Sequence, residues 1–200
     1  MALVIFIVIL LLVAFFFIGA YNKLVSLKAQ VENAWKQIDV QLKRRHDLIP
    51  NLVNTVRGAM GFERETLEAV VEARNRAVAV VSGTSSGTPS PSGVAQTASA
   101  ETQLTGALSR LMAVVEAYPD LKATGNVAQL QEELSSTENK IAFARQLYND
   151  TATRYNAAQR MFPTVLFAGM AGASQVPLWE ISDEVERAVP NVDLGFGAKS

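Results

Sequence analysis

The chain is 200 residues long and has no cysteine, which rules out disulfides, thiolate zinc sites, iron–sulfur clusters and a cysteine nucleophile. A formal net charge of −1 sets it apart from general nucleic-acid binders, which need a strong basic surplus. Setting aside an oily amino-terminal run leaves about 180 residues, enough for one sizeable core.

That run, ALVIFIVILLLVAFFFIGA from Ala2 to Ala20, holds nineteen residues with no charge and no proline. At ~1.5 Å per residue it covers roughly 28 Å, close to the hydrocarbon thickness of a bilayer. Tyr21 and Asn22 fall where an interfacial ring belongs, and Lys23 and Lys28 follow. A cleaved signal peptide carries a basic start, a shorter apolar core and a small-x-small cleavage site. Here no basic side chain precedes the run, and its last four residues are Phe-Ile-Gly-Ala. Residues 2–20 therefore read as a retained transmembrane anchor in the lipid bilayer. From Tyr21 to Arg57 there are seven basic residues against three acidic ones. This bias favours a cytoplasmic body and leaves a periplasmic or extracellular body as the alternative.

Beyond the run, Val31, Trp35, Ile38, Leu42, Ile49, Leu52, Val53 and Val56 recur at helical spacing. Pro50 interrupts the composition but not the phase. It should free the carbonyl of His46 and bend one long helix. The alternative puts Pro50 in the first turn of a new helix, with Asp47 near the cap. After Gly58 and Gly61, a second stripe (Leu67, Val70, Val71, Ala77, Val78, Val81) predicts a helix ending near Val81. Ser82–Ser99, rich in serine, threonine, glycine and proline, reads as a flexible connection. A third helix is expected from about Ala100 to Tyr118 on Leu104, Leu108, Leu111 and Val115, closed by Pro119. The fourth pattern is the most regular. Val127, Leu130, Leu134, Thr137, Ile141, Ala144, Tyr148, Thr151, Tyr155, Ala158 and Phe162 alternate steps of three and four. That repeat predicts coiled-coil-like packing, and the small seam members call for close approach of another helix. Pro163 ends or bends this helix. After it come the apolar TVLFAGMAG, then QVPLWEISDEVERA, where Trp179 should dock and a short helix could form, then an extended tail.

The expected fold is all-α: a single amino-terminal transmembrane helix (2–20) and an elongated antiparallel bundle of about four long helices (21–170). A carboxy-terminal tail (171–200) completes it.

Five segments resemble the LemA family. They are YNKLVSLKAQVENAWKQIDVQLKRRHDLIPNLVNTV at Tyr21–Val56, LEAVVEAR at Leu67–Arg74 and YPDLKA at Tyr118–Ala123. The others are LQEELSSTENKIAFARQLYND at Leu130–Asp150 and RYNAAQRMFPTVLFAG at Arg154–Gly169. The resemblance implies a bacterial membrane protein with an amino-terminal span and a helical body, and it implies no activity. The insert at Ser82–Ser99 is longer than usual for such proteins.

Candidate chemistry is sparse. His46, the single histidine, sits in Lys43-Arg44-Arg45-His46-Asp47, and Asp47 points about 100° away on a helix. An exposed or carbonyl-capping role is expected, with Asp39 or the carbonyl freed by Pro50 as neighbours. The cluster Lys43-Arg44-Arg45 lies roughly 35 Å beyond the run at ~1.5 Å per residue, several Debye lengths from lipid. A solvated face or helix–helix ion pairs is the expected role. Glu132, Glu133, Glu138 and Asp150 lack the Glu-x-x-His spacing of bundle di-metal sites; Glu138 and Arg145 could each pair with another helix. Tyr148-Asn149 and Tyr155-Asn156 repeat one heptad apart and are expected inside the bundle with their hydroxyls satisfied. No residue is assigned as catalytic, cofactor-binding or metal-binding.

The leading expectation is a non-enzymatic scaffold in the bacterial inner membrane, self-associating and touching other membrane proteins. No cofactor, nucleic acid or small-molecule substrate is called for. A membrane-remodelling assembly is the alternative, and an enzyme of undefined type the remote one.

Overall fold

The computed structural model describes residues 1–58, 63–84, 88–119, 125–169 and 171–180. The apolar run and the amphipathic stripe after it form one helix, α1 (Ala2–Arg57), with Pro50 inside it and no break. The continuous helix is therefore the correct alternative at Pro50. The first part of α1 is long and apolar enough to cross a bilayer, and none of the residues in that span is buried. Buried packing begins at Leu24.

Three more helices fold back along α1: α2 (Arg64–Thr84), α3 (Pro91–Glu116) and α4 (Gly125–Arg160). Arg74 of α2 meets His46, and Thr88, just past α2, meets Glu32. Sequence rises in α2 as it falls in α1, so the two are antiparallel. Along α4, Glu138 faces Arg45, Tyr148 faces Trp35, and Phe162, just past its end, faces Phe16. Thus α4 also runs antiparallel to α1. The described residues form helices and no strands, packed as an up-down-up-down bundle.

Most of the stretch Ser82–Ser99 is helical, not a flexible connection. Helix α2 continues to Thr84, and α3 starts at Pro91. The side chain of Ser90 caps α3 by accepting from the Gly93 amide at 3.1 Å, and Pro91 takes the first position, where no amide partner is needed. Gly93, Val94, Thr97 and Ala98 are then buried against α2 and α1. Small residues look like linker by composition, but here they let helices approach. A Cβ on Gly93 would meet Thr84 Cγ2 and Ser90 Oγ at 3.0 Å.

The core has two parts. One packs Leu24 to Leu42 of α1 against Ile141 to Tyr155 of α4 and against Val176 and Trp179. The other packs Ile49 to Val56 against Leu67 to Ala77, Leu104 to Val115, and Val127 and Leu134. Phe162, expected in the seam of α4, lies beyond the helix end and is exposed. A 3₁₀ turn (Thr164–Leu166) follows it. Trp179 docks as expected. The short helix anticipated within 175–188 lies largely, and the extended tail at 189–200 entirely, outside the described residues.

Candidate functional site

Between the two apolar cores sits a layer of charge to which all four helices contribute. On α1, Ile38, Leu42, Ile49, Leu52 and Val56 leave one seam position empty of apolar side chain, and Arg45 fills it. On α3, Val94, Thr97, Leu104, Leu108, Leu111 and Val115 leave a matching position, and Glu101 fills that. Arg45 is 3% exposed and Glu101 5%. Arg45 Nη1 donates to Glu101 Oε2 at 2.9 Å, and Nη2 reaches Thr105 Oγ1 at 2.8 Å and Glu138 Oε1 at 2.7 Å. Glu101 Oε1 takes the remaining contact, 2.8 Å from His46 Nε2. An ionised carboxylate only accepts, so His46 Nε2 carries the proton in this pairing.

His46 is thus neither exposed nor a carbonyl cap; it is buried at 3% and held by a glutamate from another helix. The expected neighbours, Asp39 and the freed carbonyl, are otherwise engaged. Asp39 pairs with Lys43 at 2.8 Å. The His46 carbonyl, left without its helical donor by Pro50, accepts from Arg74 Nε of α2 at 3.2 Å. Among the basic cluster, Arg45 makes the helix–helix ion pairs, while Lys43 and Arg44 face solvent. Glu138 pairs across the bundle with Arg45. Arg145 lies over the Trp179 ring, 5.2 Å from its centre.

Sequence reading missed Glu101, Thr105 and Arg74. For Glu101 the signal was present: a carboxylate three residues before Leu104 and seven before Leu108 lies on the apolar stripe. The same test finds Arg45, seven from both Ile38 and Leu52. Arg74 had no such mark, because its role depends on where Pro50 of another helix lands.

A second constellation holds the tail. Asn149 Nδ2 donates to the Trp179 carbonyl at 3.1 Å, and its Oδ1 accepts from the Trp179 amide at 2.8 Å. Asn156 treats Val176 the same way, at 2.7 and 2.9 Å. Tyr148 donates its hydroxyl to the Pro177 carbonyl at 2.7 Å, and Gln159 Nε2 reaches Ser174 O at 3.2 Å. Seven helical residues rise ~10.5 Å, and three residues of a polyproline-like strand span ~9.3 Å and return to the same face. The heptad repeat of Tyr-Asn is therefore a ruler for an extended segment. Tyr148 lies inside with its hydroxyl satisfied, as expected, while the asparagines bond backbone and not another helix. Burial pushes the Tyr148 phenol well above its usual value, and burial with the charge of Glu32 raises Tyr155.

Chemically, both constellations bond chiefly within themselves, while Arg45 Nε stays buried with no hydrogen-bond partner in the folded chain. The groove between α3 and α4, about 630 Å³, is lined by Arg45, Thr105, Met112, Leu134 and Glu138, among others, but not by His46. Among the described residues, no group of three or more histidine and acidic side chains could hold a metal.

The LemA family model matches residues 34–194, which contain both constellations. The chain belongs to the LemA family. It is 27% identical over 173 residues to Protein LemA of Metamycoplasma hominis, covering 86% of this chain and 74% of that one. It is also similar to the magnetosome protein MamQ of Magnetospirillum gryphiswaldense, 25% identical over 171 residues, with 78% of this chain and 63% of the relative covered. Magnetosome protein MamQ 2 of Paramagnetospirillum magneticum is 25% identical over 167 residues, with 76% and 61% covered. The chain thus spans less than two thirds of these two magnetosome proteins. None of the three relatives carries an enzyme name.

Proposed function

We propose that this LemA-family chain is a membrane-anchored, non-enzymatic scaffold that self-associates and binds other membrane proteins through its helical body. The observation that carries this reading is an apolar patch left outside the packed interior. Val40, Phe143 and Leu147 are exposed together on the α1–α4 face, beside an open groove of about 430 Å³ that Lys36 and Lys140 border. In the floor, Gln41 Oε1 is buried with no hydrogen-bond partner in the folded chain. An exposed aromatic beside an unmet acceptor is what a protein contact would cover. The basic surplus after the span supports a body on the cytoplasmic side of a bacterial inner membrane; protease accessibility in intact and opened cells tests that side.

The test of the scaffold is a photo-crosslinking residue at Phe143 in native membranes, with mass spectrometry of the products. Crosslinks to a second copy or to other membrane proteins are expected. Recovery of uncrosslinked monomer alone, with the same residue at Val40 equally silent, would count against the reading. A second reading, an assembly that shapes or clusters bilayer, draws on the exposed apolar turns at 161–169 beside the span. Large rings or arrays that deform liposomes would favour it over discrete oligomers on flat vesicles.

A further inference from the structure

We infer that the turns after α4, residues 161–169, lie within the bilayer beside the span and form a second membrane attachment. This rests on the anchor reading of residues 2–20. Phe162 lies 6.5 Å from Phe16 and Phe167 lies 5.9 Å from Phe17, between ring centres. Phe16 and Phe17 belong to the apolar run, three to four residues before its end. Whatever medium surrounds Phe16 therefore surrounds Phe162.

The chemistry of the turns suits hydrocarbon. Met161, Phe162, Val165 and Leu166 are all exposed, Phe162 at 72% and Leu166 at 62%. No charged residue occurs from Met161 to Trp179, and Arg160 precedes that stretch where headgroups would begin. Backbone in lipid must also satisfy its own polar groups, and four successive amides of these turns do. Pro163 has no amide hydrogen, and the amides of Val165, Leu166, Phe167 and Ala168 donate to Met161, Pro163 and Thr164 at 2.8–3.1 Å. Further on, Ala171 donates to Phe167, Gly172 to Gly169 and Ala173 to Ala168. Between the turns and the span runs an open apolar groove of about 620 Å³, lined by Leu12, Phe16, Gly19 and Met161, with Lys23 at its polar end. Such a groove takes a lipid acyl chain, with Lys23 near the phosphate.

Because the chain has no cysteine, one introduced thiol is the sole labelling site. Full-length F162C and L166C, spin-labelled and reconstituted in phosphatidylethanolamine–phosphatidylglycerol vesicles, would be read by relaxation with oxygen and with a water-soluble nickel chelate. Labels at Phe6, in the span, and at Ser136, exposed on α4, calibrate the scale, and helicity by circular dichroism checks each fold. Oxygen-favoured relaxation at 162 and 166, matching Phe6, is expected. Nickel-favoured relaxation at either site, with Phe6 still oxygen-favoured, overturns the inference and leaves the anchor standing. Nickel-favoured relaxation at Phe6 overturns both.

Discussion

Arg45 and Glu101 carry opposite charges into neighbouring seams, and the cost of separating them explains what they do. A buried ion whose partner is removed loses far more than the intact pair contributes. E101L should therefore destabilise the bundle by about 3–5 kcal/mol, roughly 10 °C in Tm for a domain of this size. R45M/E101L, which removes both charges, should recover part of that loss in the same thermal melts, with the rest due to buried His46 Nε2 left without its acceptor. The pair also sets register. Helix α3 shifted by one heptad would put Arg45 opposite Val94 or Leu108, a charge against an apolar wall. The phenols give a separate test in alkali. Tyr148 and Tyr155 hold their protons above the ordinary value of about 10, at which the unfolded chain releases them. The folded state then binds more protons than the unfolded state. Stability is full below about pH 10 and falls as pH rises beyond it toward the folded values. Urea unfolding at a series of alkaline pH values should show this slope, and Y148F should flatten it. Y148F should also lower the plateau by about 1 kcal/mol for the lost bond to Pro177. At this scale the charged layer was half legible. Arg45 stood in a visible gap of its stripe, but His46 was read by its sequence neighbours, and its partner comes from a helix 55 residues away.

At the scale of elements, Pro50 and Arg74 form one device. Proline removes the donor that His46 O would have had within α1, and a guanidinium from α2 takes its place. R74A should cost about 1–3 kcal/mol by leaving that carbonyl unmet. In a P50A background the restored amide of residue 50 can bond to it, so R74A should then cost markedly less. A double-mutant cycle by chemical denaturation measures the difference, and equal costs in both backgrounds would sink the idea. Helices α1, α2 and α4 were legible because their apolar positions keep phase over many turns. The start of α3 was not, because Pro91, Ser92 and Gly93 are linker residues by composition and acquire helical meaning only from the Ser90 cap and the facing surface of α2. The docking of Trp179 was legible, but not the way two asparagines hold the segment around it.

The whole molecule is two apolar compartments divided by a charged floor, and α1 is a wall of both. Substitution in one compartment should be felt mainly there. L104A, at a fully buried position of the distal compartment, should cost about 2–5 kcal/mol. Hydrogen exchange should then accelerate around Ile49–Val56 and Leu67–Ala77 more than around Leu24–Leu42 and Ile141–Tyr155. Uniform acceleration would show a single cooperative unit. The unbroken course of α1 has a mechanical consequence. Arg57 stands ~55 Å beyond Ala20 along a stiff rod at ~1.5 Å per residue. A span that leans by about 20° to suit a thinner bilayer would sweep that tip sideways by roughly 19 Å. Lipid thickness would thus be written as the position of the far end, a displacement large enough to bring neighbouring rods together or hold them apart.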